Sequence, residues 1–223
     1  MKRRLLTGIT ALALAALPFT AIAASDTPEV STDGMQLVEK DRRGSIYADA
    51  GVDWTVYSKI MLDDATVAFR KNWQRDQNRN RAARVSTNDV QKIKNNLSTL
   101  FDEVFVEELT ANGGFEIVDQ AGPDVLRITP HIVDLDVYAP DVSSSFNSKS
   151  YTDSSGRMTL KLEMYDSETG DLIAAASDRR ESPHRGYAQW TTSVSNKADA
   201  RRMLQKWAEG LRVRLNEAAG VTP

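Results

Sequence analysis

Met158-Thr159-Leu160-Lys161-Leu162-Glu163-Met164-Tyr165 alternates apolar and polar side chains at every step. A period of two belongs to a strand that buries one face and wets the other. Turn formers follow in Ser167-Glu168-Thr169-Gly170-Asp171, and Leu172 to Ser177 is a second short run, so the stretch predicts an antiparallel hairpin. A one-sided sheet needs a cover, and two segments supply it.

The first cover is a helix in which Val90, Ile93, Leu97, Leu100, Phe101, Val104, Phe105 and Leu109 recur at spacings of three and four. Ser86 with Asp89 forms a capping box at its start, and Gly113-Gly114 ends it. The second runs from about Lys197 to Ala218 on a stripe of Leu204, Trp207, Ala208, Leu211 and Leu215, with Asn196 and Asp199 as its cap. Further strands are expected around Ser45 to Asp49, Lys59 to Arg70, Phe115 to Val118 and Val125 to Tyr138. Two of these slip register. Leu126, Ile128 and Ile132 share one parity while Val133, Leu135 and Val137 share the other, which predicts a bulge near Pro130 to Val133. Ile60 and Leu62 likewise give way to Ala65, Val67 and Phe69 across Asp63-Asp64. The expected fold is α+β, a two-layer sandwich with a mostly antiparallel sheet and two long helices on one face.

The ends read differently from the body. Lys2, Arg3 and Arg4 precede the apolar run Leu5 to Leu17, and Ala21-Ile22-Ala23 offers a small-x-small cleavage site. Residues 1–23 are thus expected to be a signal peptide cut after Ala23, residues 24–33 a disordered leader, 34–218 a single domain and 219–223 a tail. No later stretch is apolar enough to span a bilayer, so the cleaved protein is expected in the periplasm and not as an integral membrane protein.

Composition narrows the chemistry. The 223 residues hold no cysteine and two histidines, His131 and His184, which leaves no thiolate chemistry and no imidazole-rich metal centre. Neither a metal nor another cofactor is expected. The net charge is −3, and loss of the three signal-peptide cations leaves a body near −6, so no nucleic-acid partner is expected. A nucleophile elbow, a dinucleotide or phosphate loop and a zinc-protease helix motif are all missing from the sequence. The carboxylates Asp134, Asp136 and Asp141 with His131 are the alternative, a hydrolase or other enzyme, or a weak hard-cation site. The preferred expectation is a noncatalytic protein.

Positive charge nevertheless collects in one place. Arg70, Lys71, Arg75, Arg79, Arg81 and Arg84, with Trp73 among them, face a single acid, Asp76. Guanidinium groups bind phosphates and carboxylates bidentately, so this loop is the candidate site for an anionic envelope polymer or lipid, or for an envelope protein. A second long connection, Ala139 to Gly156, is rich in Ser with Phe146 and Tyr151, and is expected to be a flexible hairpin tip whose second half extends the next strand. Trp190 is expected to pack the second helix onto the sheet.

Several segments together carry a resemblance: Tyr47 with Gly51-Val52-Asp53-Trp54, Tyr57 to Leu62, Val67-Ala68-Phe69, Asn72-Trp73, Gly122 to Leu126, Asp166 to Asp171 and Trp190 to Asn196. In their order and spacing they resemble the bacterial envelope family called domain of unknown function 3313, over about residues 33 to 218. The resemblance implies an envelope location and brings no established activity. Many members look like lipoproteins with a cysteine at the cleavage site; this chain has Ala23-Ala24 there.

Overall fold

A computed structural model describes residues 34–79, 84–111, 114–138, 140, 150–152, 154–183, 189–191 and 193–220, with the backbone alone described at 150–152, 189–191 and 193–194. The expected signal peptide and leader, His184, Arg81, Asp141 and Phe146 lie outside the described residues, as do the side chains of Tyr151 and Trp190.

Among the described residues the strands are β1 (Gln36–Lys40), β2 (Gly44–Ala48), β3 (Lys59–Leu62), β4 (Thr66–Phe69), β5 (Glu116–Ile117), β6 (Val125–Val137), β7 (Ser150–Thr152), β8 (Gly156–Asp166), β9 (Leu172–Glu181) and β10 (Gln189–Thr191). The helices are α1 (Trp73–Asn78), α2 (Thr87–Thr110) and α3 (Ser193–Ala218). Eight strands form one sheet in the order β1-β2-β9-β8-β6-β3-β5, with β4 also paired to β6. The hairpin β8–β9 that opened the sequence reading is antiparallel, with Leu162 opposite Ala176. Its turn is held by Asp166, whose Oδ1 accepts from the amides of Glu168 (3.0 Å) and Thr169 (2.8 Å), while Gly170 takes φ 76°. The sheet is mostly antiparallel, but β3 and β4 run parallel to β6 and β5 runs parallel to β3. The short strands β7 and β10 pair with each other in a separate ribbon rather than extending β8.

The single strand expected from Lys59 to Arg70 is two strands, and Pro130 accounts for the gap. The carbonyls of Asp124, just before β6, and of Ile128 within it accept from the amides of Lys59 (3.1 Å) and Asp63 (2.9 Å), so even-numbered residues here turn their backbone groups toward β3. By the same alternation Pro130 turns its missing N–H toward the break between Leu62 and Thr66, where no ladder partner is lost. The bulge expected at Pro130 to Val133 therefore lies one step further on. Asp134 has φ 51°, and the pairing of β6 with β8 slips between Val133 and Asp136. This slip moves burial from Ile132 to Leu135.

Helix α2 starts as its sequence requires. The Ser86 side chain accepts from the Asp89 amide, and Asp89 accepts in return from the Ser86 amide at 2.9 Å. Helix α3 begins at Ser193, ahead of the expected start, so Asn196 and Asp199 are not its cap. Asp199 is buried and instead joins Ser155 of the β7–β8 connection to Arg202. Leu97, Leu100, Phe101, Phe105 and Leu109 of α2 and Leu204, Trp207, Leu211 and Leu215 of α3 share one core with Ile128, Ile132, Leu160, Leu162 and Met164 of the sheet. Burial of this kind stabilises by about 25 cal/mol per Å² of apolar surface.

Candidate functional site

The sequence leaves open whether the Arg-rich segment is ordered, and in the structure its residues Trp73–Asn78 form the short helix α1. Asn72, with φ 63°, reverses the chain at the end of β4 and starts α1. Trp73 is 1% exposed and stacks on Phe69 with ring centroids 4.0 Å apart. Trp73 Nε1 and Gln77 Nε2 both donate to the carbonyl of Val137 at 3.1 Å. Gln74 Nε2 and Asn78 Nδ2 donate to the carbonyl of Val85, and the Val85 amide donates to Asn78 Oδ1 at 2.7 Å. Neutral side chains thus do most of the docking.

Arg70 joins them. Its guanidinium meets Asp76 at 2.8 Å and the buried Asp136 at 3.0 Å, and Arg157 of β8 meets Asp136 at 3.2 Å. The Arg70 hydrogen bond holds the Asp76 carboxyl below its ordinary range. Two members of the candidate site, Arg70 and Trp73, are therefore committed inside the fold. The others that are described, Lys71, Arg75, Arg79 and Arg84, are exposed. Arg75 touches the already paired Asp76 at 3.5 Å with 75% of its side chain exposed, and the other three form no salt bridge among the described residues. These cations stand on the outer side of a docked scaffold.

Beside α1 lies a cleft of about 650 Å³ between the N-terminal halves of α2 and α3. Val137, the residue that holds Trp73 and Gln77, lines it, so cleft and basic segment occupy one end of the domain. Ile93 and Leu97 of α2, Leu135 and Met158 of the sheet, and Ala200 and Met203 of α3 form its apolar lining. Its rim carries Lys92 and Lys197, which sequence periodicity does not single out because a lysine on an exposed helix face is ordinary.

Among the described residues the alternative carboxylate site does not assemble; Asp141 lies outside them. Asp134 and Asp136, two apart in the chain and so on one face of a regular strand, are separated by the bulge: Asp134 is exposed and Asp136 buried. His131 Nδ1 lies 2.8 Å from Thr66 Oγ1 and its Nε2 3.7 Å from Glu163, a different set of partners from that of Asp136. Asp63 serves the bend, accepting from Arg127 Nε at 2.9 Å and Thr129 Oγ1 at 2.6 Å. Among the described residues no group of three or more His, Cys, Asp or Glu is placed to hold a metal ion, and no helix is long and apolar enough to cross a membrane.

One further acid stands apart. Asp102 of α2 has its carboxyl pushed up to about 6 by burial and by the nearby Asp64, with only the Ala65 amide opposing.

Comparison with known proteins gives low-identity structural likenesses. A PelC dodecamer subunit from Paraburkholderia phytofirmans matches at 10% identity and a TM-score of 0.36, over 76% of this chain and 97% of that one. A Xanthomonas campestris protein of family DUF330 matches at 10% identity and 0.41, over 75% and 90%. A putative lipoprotein from Caulobacter crescentus CB15 matches at 14% identity and 0.37, over 78% and 99%. No curated protein matches. The family model described as protein of unknown function, DUF3313, matches residues 30–211, and the chain belongs to that family.

Proposed function

We propose that this is an exported, noncatalytic protein of the bacterial envelope that binds an anionic envelope component through the outer face of the α1 segment. The observation that carries the reading is the division of labour in that segment: Trp73, Gln74, Gln77 and Asn78 dock it, while Lys71, Arg75, Arg79 and Arg84 are left exposed. An exposed guanidinium makes bidentate contact with a phosphate or carboxylate without first breaking an internal pair. The cationic start, apolar run and small-residue cleavage site of residues 1–23 support export. Arg81 belongs to the same run of cations in the sequence.

Crosslinking in intact envelopes tests the reading without assuming the class of ligand. The wild-type chain is expected to capture an anionic lipid, polymer or acidic protein, and the variant combining Arg75→Ala, Arg79→Ala and Arg84→Ala is expected to lose it. Equal recovery by both proteins removes this role for the segment. Maturation near Ala24 with release into a periplasmic extract is the expected result for localisation; recovery only as a full-length membrane species contradicts it.

A further inference from the structure

The cleft beside α1 carries the charge of a site for an amphipathic anion. Each of its acids already has a partner: Asp89 caps Ser86 and also faces Lys92, Glu103 meets Arg201 at 2.9 Å, and Asp136 meets Arg70 and Arg157. Lys92 and Lys197 form no salt bridge among the described residues, and they stand on the two helices that flank the opening. Both helices also begin at this end, which adds the positive ends of their dipoles. Below this rim the walls are mixed, with Asn96, Thr99, Ser155 and Arg157 beside a larger apolar share. Ile93, Val137, Ala200 and Met203 are only half-buried, although each packs against the core. The volume, about 650 Å³, lies within the roughly 300–1,000 Å³ of small-molecule pockets.

The geometry points to a single-chain anionic lipid as the occupant, its acyl chain between α2 and α3 and its headgroup at Lys92 and Lys197. This builds on the reading of the basic end as an anion-binding surface and names a ligand class for the cleft within it. An inorganic anion would leave the apolar walls half-covered, whereas a neutral hydrocarbon would leave Lys197 without a counter-charge. A lipid with one acyl chain and one charge satisfies both requirements.

Displacement of a fluorescent fatty acid from the purified protein by palmitate tests the assignment. Wild-type protein is expected to bind palmitate below its micellar range, and methyl palmitate and inorganic phosphate should each compete at least about tenfold less well. Lys92→Glu with Lys197→Glu should weaken palmitate by about tenfold or more. Ala200→Phe, which fills the cleft, should abolish binding; circular dichroism checks its folding, and the surface lysine pair keeps the test decisive if it does not fold. Palmitate binding indifferent to both changes, no palmitate binding at all, or a dimer that seals the cleft and resists palmitate would overturn the proposal. If palmitate fails to bind while the α1 arginine variant still loses envelope capture, the acyl-lipid assignment falls and the basic surface stands. If palmitate binds as expected while that variant captures normally, the cleft stands and the α1 reading falls.

Discussion

Arg70 and Arg75 lie on one segment, and their neighbours give them opposite tasks. Arg70 sits at the end of β4, where the bulged strand β6 presents the buried Asp136, and it links that acid to Asp76. Arg75 projects from the outer side of α1 with only a long contact to an acid that already has a partner. The same contrast separates Trp73, sealed against Phe69, from Arg79 and Arg84, which are exposed. A basic run is therefore two populations: an inner one that holds the segment down and an outer one available to a ligand. Charge counting along the chain merges them, because both look alike until burial sorts them.

Breaking the inner population should have the largest effect. Trp73→Ala removes a fully buried ring and its hydrogen bond to Val137, and is expected to cost about 3–5 kcal/mol in urea unfolding. Asp136→Ala leaves Arg70 and Arg157 without their shared carboxylate and should cost about 3 kcal/mol, below the upper limit for buried pairs because both guanidiniums remain partly in water. If either substitution costs less than the outer arginines do, the division into two populations is wrong.

A half-buried acid that forms no salt bridge among the described residues sharpens the point. Asp102 faces Asp64 where Asp136 faces two arginines, and its carboxyl titrates near 6 instead of near 3.8. A carboxyl whose pKa is raised by folding favours the native state most below its unfolded pKa, and that contribution disappears as the pH rises through about 6. Asp102→Asn should therefore stabilise the protein by on the order of 1 kcal/mol at pH 8, after allowance for solvent screening, and by little at pH 4. Melting curves at the two pH values check the sign. The outer arginines come last: replacing Arg75, Arg79 and Arg84 together by Ala should change stability by no more than about 0.5 kcal/mol while abolishing envelope capture.

Local pattern was enough wherever a residue's role is settled by its near neighbours in the chain. The alternation of Met158 to Tyr165, the Ser86 and Asp89 box and the stripes of α2 and α3 each appear in the structure as elements at those places. The phase slip of β6 was legible too, though not its position at Asp134, since Pro130 drew attention to itself as the usual cause of a disrupted ladder. The start of α3 was misread for a related reason. Asn196 and Asp199 have the spacing of a cap, but Asp199 is turned to Ser155 and Arg202 by packing that the sequence does not display. The short helix α1 was invisible because its anchoring partners, Val85, Val137 and Asp136, lie outside it.

The sequence by itself determined the layers, the hairpin, both long helices and the concentration of cations between Arg70 and Arg84, because periodicity and capping act over one or two turns of chain. Only the tertiary structure decided which of those cations are exposed, that Asp134 and Asp136 part company, and that Lys92 and Lys197 flank one apolar cleft. Those outcomes depend on which strands become neighbours, and a strand pairing joins residues whose separation in the chain carries no local signal.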